Sequence, residues 1–254
     1  MLNAQTTQAE SPAKFYESLV NNYDRSWAPK NGEALEFADQ LRQASREDVK
    51  DALPPIFRAL SHEDDRVKSY AALALYSIEQ RADGVPLLDS RVREIAQLLN
   101  SSSPQLQSSG VEILGGLKAR EVQPILTEFL QRTDADQNAQ AGAVSILLRS
   151  APEDPKVVAS VVSLLSRSTQ LETRVAILNA MGTPNAQDPR IRKLVISALD
   201  SPDEGVRFTA AQVLRRIGRE AVIQAEPVLE RIVQRPDEST RVRNAAQDAL
   251  SLLK

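Results

Sequence analysis

Apolar residues recur along the chain at steps of three and four. The clearest run is residues 201–218, SPDEGVRFTAAQVLRRIG, where Val206, Ala210, Val213, Leu214 and Ile217 form one stripe. Pro202, Asp203 and Glu204 precede the stripe and place negative charge where exposed N–H groups favour it. Gly218 follows the last apolar residue, where a residue without Cβ most easily takes a left-handed cap. The pattern predicts one helix with its start and stop signals attached.

The stripe has copies. Val67, Ala71, Ala72, Ala74, Leu75 and Ile78 repeat it, as do Val242, Ala246, Ala249, Leu250 and Leu253. Weaker copies run through Leu106, Gly110, Val111, Ile113, Leu114 and Leu117, and through Ala139, Ala143, Val144, Ile146 and Leu147. The poorest runs from Leu171 through Val175 and Leu178 to Gly182. The copies begin at 67, 106, 139, 171, 206 and 242, a spacing of 32 to 39 residues. A period in that range indicates a repeat architecture. Each copy reads as a second helix, preceded by a first helix over 54–60, 90–100, 121–132, 155–166, 188–199 and 225–234. Pro55, Pro124, Pro155, Pro189 and Pro227 mark their first turns, where proline loses no hydrogen bond. Turns such as SHEDD, SSSP, TDAD, SPDE and RPDES separate first from second helices. Residues 80–89 form the longest connection.

Before the repeats, Phe15, Tyr16, Tyr23, Trp27 and Phe37 form an aromatic cluster on two expected helices, joined by an Asn31-Gly32 turn. An open-ended array needs a cap, and this cluster fits one. The expected division is 1–45, tail and capping helices, and 46–254, the repeat array.

A prolyl first helix followed by D-x-x-V-R-x-x-A-A-x-x-L-x-x-I-G resembles HEAT repeats. Asp64-Asp65-Arg66-Val67-Lys68 with Ala71-Ala72, and Asp203-Glu204-Gly205-Val206-Arg207 with Ala210-Ala211, carry the likeness best. The short period is similar to that of bacterial HEAT-like repeats, including those of phycobilisome lyases. The resemblance implies an all-α, right-handed solenoid (an α-α superhelix) of about six helix pairs. It also implies that Lys68, Arg207 and Arg243 pair with turn carboxylates of neighbouring repeats, the candidates being Asp65, Asp203 and Glu238.

In such an array one side of the second helices lines a concave groove. With Val67, Ala71 and Leu75 inward, steps of 100° put Ser69, Leu73 and Tyr76 on the opposite side. The same reckoning brings Leu148, Ile177, Phe208 and Arg215 to that face. Leu73, Tyr76, Leu148, Ile177, Phe208 and Arg215 are therefore the candidate groove residues for a protein or peptide partner.

Composition narrows the alternatives. The 254 residues are 42% hydrophobic but only 4% aromatic, which suits closely packed helices with small faces. The chain has no cysteine, hence no disulfide or thiol chemistry. His62 is the single histidine and reads as an exposed turn residue; one His-Glu pair cannot supply a di-iron site, and a Ser-His-Asp arrangement would have to use His62, with no Gly-x-Ser-x-Gly elbow in the chain. Gly115-Gly116 reads as a close helix contact rather than a phosphate loop. No cofactor or metal is expected, and the expected activity is non-enzymatic binding. A chromophore-binding protein or lyase, as the phycobilisome-lyase likeness allows, is the alternative.

Charge bears on a second alternative, nucleic-acid binding. The net charge is −3, residues 1–65 carry 12 acidic and 7 basic side chains, and residues 190–254 carry 12 basic and 9 acidic. That excess neutralises few phosphates, so the basic end reads as a structural ladder. No run is long and apolar enough for a membrane helix. The N-terminal stretch lacks a signal-peptide pattern, so cytoplasm is the default, with an exported protein stripped of its signal, or a fragment of a longer one, left open.

Overall fold

A computed structural model describes residues 11–23, 29, 32–182 and 188–254. Trp27, Asn31 and the tail before Ser11 lie outside them. The described residues form α1 (Pro12–Asn22), α2 (Glu33–Gln43), α3 (Arg46–Leu60), α4 (Asp65–Glu79), α5 (Gly84–Leu88), α6 (Val92–Ile95), α7 (Pro104–Gly116) and α8 (Val122–Phe129). They continue as α9 (Gln137–Ser150), α10 (Pro155–Arg167), α11 (Leu171–Ala180), α12 (Pro189–Ala198), α13 (Glu204–Ile217), α14 (Arg219–Gln234) and α15 (Thr240–Leu250). Among the described residues there is no strand. Helix pairs α3/α4, α5–α6/α7, α8/α9, α10/α11, α12/α13 and α14/α15 follow the pair α1/α2.

The turns set the phase of each second helix. Asp64, Ser103, Asp136, Asp203 and Ser239 are N-caps whose side-chain oxygens accept backbone N–H bonds two or three residues on. Three residues after each cap comes the first core residue: Val67, Leu106, Ala139, Val206 and Val242, all fully or almost fully buried. Small residues follow one turn later, Ala71, Gly110, Ala143, Ala210 and Ala246, and let neighbouring helices approach. A Cβ on Gly110 would lie 2.8 Å from Leu98 Cβ, and one on Gly116 would run into the Glu79 carboxylate of α4. Gly110 and Gly116 thus serve close packing of α7.

The first helices depart from the proline rule in two repeats. α3 begins at Arg46, where Ser45 Oγ accepts from the Asp48 N–H at 3.1 Å, so Pro54 and Pro55 sit inside the helix. α14 begins at Arg219 and carries Pro227 inside. In α3 the buried stripe Val49, Ala52, Ile56, Ala59 and Leu60 runs straight through the prolines, and packing of that stripe sustains the helix. The expected connection at 80–89 contains α5, and its repeat has a broken first layer, with 3-10 turns Asp89–Arg91 and Ala96–Asn100 flanking α6.

The chain divides into two compact units, residues 1–122 and 123–254. In the first, α1 packs on α3 and α2 on α4, after which α3 meets α6 and α4 meets α7. Phe15 stacks on Phe37 with ring centroids 4.2 Å apart, and the buried Tyr16 donates its hydroxyl to the Tyr70 carbonyl at 3.3 Å. In the second unit α9, α11, α13 and α15 pack in succession, and α10, α12 and α14 do the same in the other layer.

Arginines tie successive repeats together through helix C-termini. Arg81 Nη1 donates to the carbonyls of Leu41, Arg42 and Ala44, at the end of α2. Arg167 does this for Leu130 and Arg132 after α8, and Arg216 for Asn179 and Met181 after α11. Each satisfies carbonyls a helix end leaves unpaired and complements the helix dipole.

Candidate functional site

Four of the six candidate groove residues reach the surface. Leu73 and Tyr76 of α4 are half-buried and, with Ser69, Ala72, Ser109 and Glu112, line a cleft of about 400 Å³ between α4 and α7 in the first unit. Phe208 and Arg215 of α13 line a larger cleft, about 630 Å³, between α13 and α15 in the second. Gln212, Arg216, Arg241, Asn244, Ala245 and Asp248 complete it.

Leu148 and Ile177 do not belong to a wet face. Ile177 is fully buried and Leu148 is 3% exposed. For Ile177 the reason is register. The N-cap of α11 is Gln170, which makes no side-chain capping bond, so the copy starts at Thr173 rather than Leu171. Ile177 then occupies the core position of Ala71, Gly110, Ala143, Ala210 and Ala246, while Leu171 is exposed. Thr173 takes the place of Val67 and Val206, its hydroxyl 3.3 Å from the Asn138 and Gln170 side-chain oxygens. Leu148 lies at the end of α9, where Ala141 on the same side is buried as well, so the outward face of that helix narrows to Ser145.

The α13/α15 cleft has a defined chemistry. The Arg241 guanidinium lies over the Phe208 ring, 3.8 Å from its centroid, so an aromatic face and a cation are presented together. Arg215 is exposed. Gln212 and Asn244 contribute side-chain amides, which both donate and accept. Asp248 is the one carboxylate among the lining residues.

A buried ion-pair network ties α13 to the turn before α15. Arg207 grips Glu238 of the next repeat bidentately, at 2.9 and 2.7 Å, and its Nη1 donates to the Ser201 and Pro202 carbonyls at 2.9 Å. The Glu238 side chain is fully buried, accepts from the Ser239 N–H at 3.1 Å, and has Arg235 as a further partner at 3.4 Å. Arg243 donates to the Glu238 carbonyl. The Arg207 bond holds the Glu238 carboxyl below the ordinary glutamate range, against the opposing pull of burial, and raises Arg207 in turn. Of the expected pairs, Arg207 thus finds Glu238, Lys68 finds Asp65 of its own turn at 2.8 Å, and Asp203 serves as a helix cap.

The equivalent position in two other repeats is glutamine. Gln107 donates to the Ser101 carbonyl, and the buried Gln140 donates to the carbonyls of Phe129 and Arg132. The residue four places after each cap therefore secures its turn, by amide or by cation. The glutamines lack the charge by which such a position is recognised in sequence.

Most cations of the basic C-terminal end are used internally. Arg190 pairs with Asp188, Arg192 lies 3.9 Å from Glu220, Arg219 donates to the Leu252 carbonyl, and Arg231 pairs with Asp200. That leaves little basic surface to neutralise a polyanion. His62 is half-buried rather than exposed: its Nδ1 accepts from the Asp64 N–H at 3.0 Å and its ring meets Tyr23 edge-on. Among the described residues no cluster of histidine and carboxylate side chains could hold a metal, and no helix is long and apolar enough to cross a membrane.

Helix pairs packed in two layers, with caps and arginine ladders at a fixed phase, define a helical-repeat protein. The family model described as HEAT repeats matches residues 158–251. That segment carries the sequence likeness to HEAT repeats. The archaeal HEAT-like repeats protein from Thermococcus onnurineus NA1 is similar in structure, with a TM-score of 0.60 at 16% identity over 96% of this chain and 97% of that one. An engineered protein is similar with a TM-score of 0.54 at 21% identity, over 94% of this chain and 68% of that one. At these identities the likeness establishes the fold. No curated protein matches the chain in sequence.

Proposed function

We propose that the protein is a non-enzymatic interaction scaffold that holds a protein or peptide partner against the exposed side of its second helices, chiefly in the α13/α15 cleft. The observation that carries this reading is the pairing of Phe208 with Arg241 at the surface of a cleft that also presents the exposed Arg215. Aromatic and arginine side chains are the residues on which protein interfaces most depend. α13 packs between α11 and α15, and α15 packs against α13 and α14, so little ordering is left for binding to impose. Leu73 and Tyr76 would offer a second contact in the α4/α7 cleft.

The test is a pull-down from lysate of the source cells with wild type and Phe208→Glu, both shown to be helical by circular dichroism. A protein retained by wild type and lost by the variant is the expected result. Equal retention by both would move the binding surface away from this cleft.

A further inference from the structure

We infer that the α13/α15 cleft takes an acidic segment of its partner, with carboxylates on Arg215 and Arg241 and an apolar side chain against Phe208. The inference rests on the scaffold reading and adds the chemistry of what is bound. The cleft lining carries three guanidinium groups and one carboxylate, Asp248. Arg216 is anchored to the Asn179 and Met181 carbonyls and serves the fold. Neither Arg215 nor Arg241 has an ion-pair partner among the described residues, although arginines on the first helices do: Arg190 of α12 has Asp188 and Arg231 of α14 has Asp200.

Two uncompensated cations on one cleft raise the local positive potential, which attracts and orients an anionic partner. Guanidinium forks match carboxylates bidentately, and they are less strongly hydrated than ammonium groups, so contact costs less desolvation. A volume of about 630 Å³ accommodates a few side chains rather than a long polymer. Gln212 and Asn244 can bond to the donors and acceptors of a peptide backbone between those side chains. A nucleic acid is the poorer fit, because arginines outside the cleft, such as Arg190 and Arg231 on the first helices, are already paired and Asp248 would repel its phosphates.

The experiment is fluorescence anisotropy with a labelled short peptide built of Glu-Glu-Phe units, its Gln-Gln-Phe counterpart, and a labelled oligothymidine of similar length. The acidic peptide should bind tighter than the glutamine peptide by roughly tenfold or more, an advantage that shrinks as salt is raised. Arg215→Glu should abolish that preference. Arg190→Ala, on α12 and paired with Asp188, should preserve it. Equal binding of the two peptides, binding of neither, or tighter binding of oligothymidine would each overturn the inference. If the pull-down partner is still lost by Phe208→Glu while the peptides bind equally, the scaffold reading stands and only the acidic specificity falls.

Discussion

Glu238→Ala should destabilise the second unit by about 3–5 kcal/mol, the cost of stripping one member from a buried, hydrogen-bonded ion pair. The glutamate holds α13 and α15 at once. Its carboxylate closes the bidentate bond from Arg207 on α13, and its own backbone continues into the Ser239 cap of α15. Removing it leaves the Arg207 Nε and Nη2 hydrogens and the Ser239 N–H without their acceptor. In a repeat array such damage spreads mainly to nearest neighbours. Hydrogen exchange should therefore show α13 and α15 losing protection ahead of α10. A loss below about 1 kcal/mol would mean that the pair is no better than a surface ion pair.

The same network fixes a pH dependence. The folded-state pKa of Glu238 lies below its unfolded value, so its contribution is fully present above the ordinary glutamate pKa of about 4.3. It is lost as pH falls through the folded value. Glu238→Gln should flatten that part of the acid limb. An unchanged acid limb in the variant would assign the acid sensitivity to other carboxylates, such as Asp188 and Asp154, whose values are also lowered.

Gly84→Ala should be the most damaging single methyl in the first unit. A Cβ there would lie 1.6 Å from the Ile78 carbonyl oxygen and 2.6 Å from its carbon. Both are backbone atoms of α4, so the clash cannot be relieved by turning a side chain. A cost of about 3 kcal/mol or more is expected, measured by urea denaturation followed by circular dichroism. Gly32→Ala is the informative contrast. Gly32 has φ of +102°, but a Cβ on it would meet nothing within 4 Å. It should cost about 1–2 kcal/mol, from backbone conformation alone. Similar costs for the two variants would show that the approach of the chain to Ile78 relaxes without penalty.

Much of this fold was legible because caps and stripes share one phase. Asp64, Asp203 and Ser239 each announce a core residue three places later, and the sequence copies at 67, 206 and 242 fall where the structure puts them. Legibility failed where that signal was missing. α11 starts after Gln170, which offers no capping bond, and its stripe is too weak to fix the register, so Ile177 was carried to the wrong side. The prolines of α3 and α14 misled for the opposite reason: a strong local signal was overridden by packing of the helix as a whole.

The candidate site divides in the same way. Phe208 and Arg215 follow from helical phase alone. Arg241 does not, because its relation to Phe208 depends on how α15 packs across α13. Gln107 and Gln140 were invisible as ladder members because an amide at that position carries no charge to suggest a partner.

The most direct test of the central claim is photo-crosslinking in the source cells. A photoreactive phenylalanine analogue would be placed at Gln212 in the α13/α15 cleft and, separately, at the exposed Ser163 of α10 in the other layer. The scaffold account predicts a discrete protein adduct from position 212 and none from position 163. An adduct from 163 alone, or the same adduct from both, would contradict it.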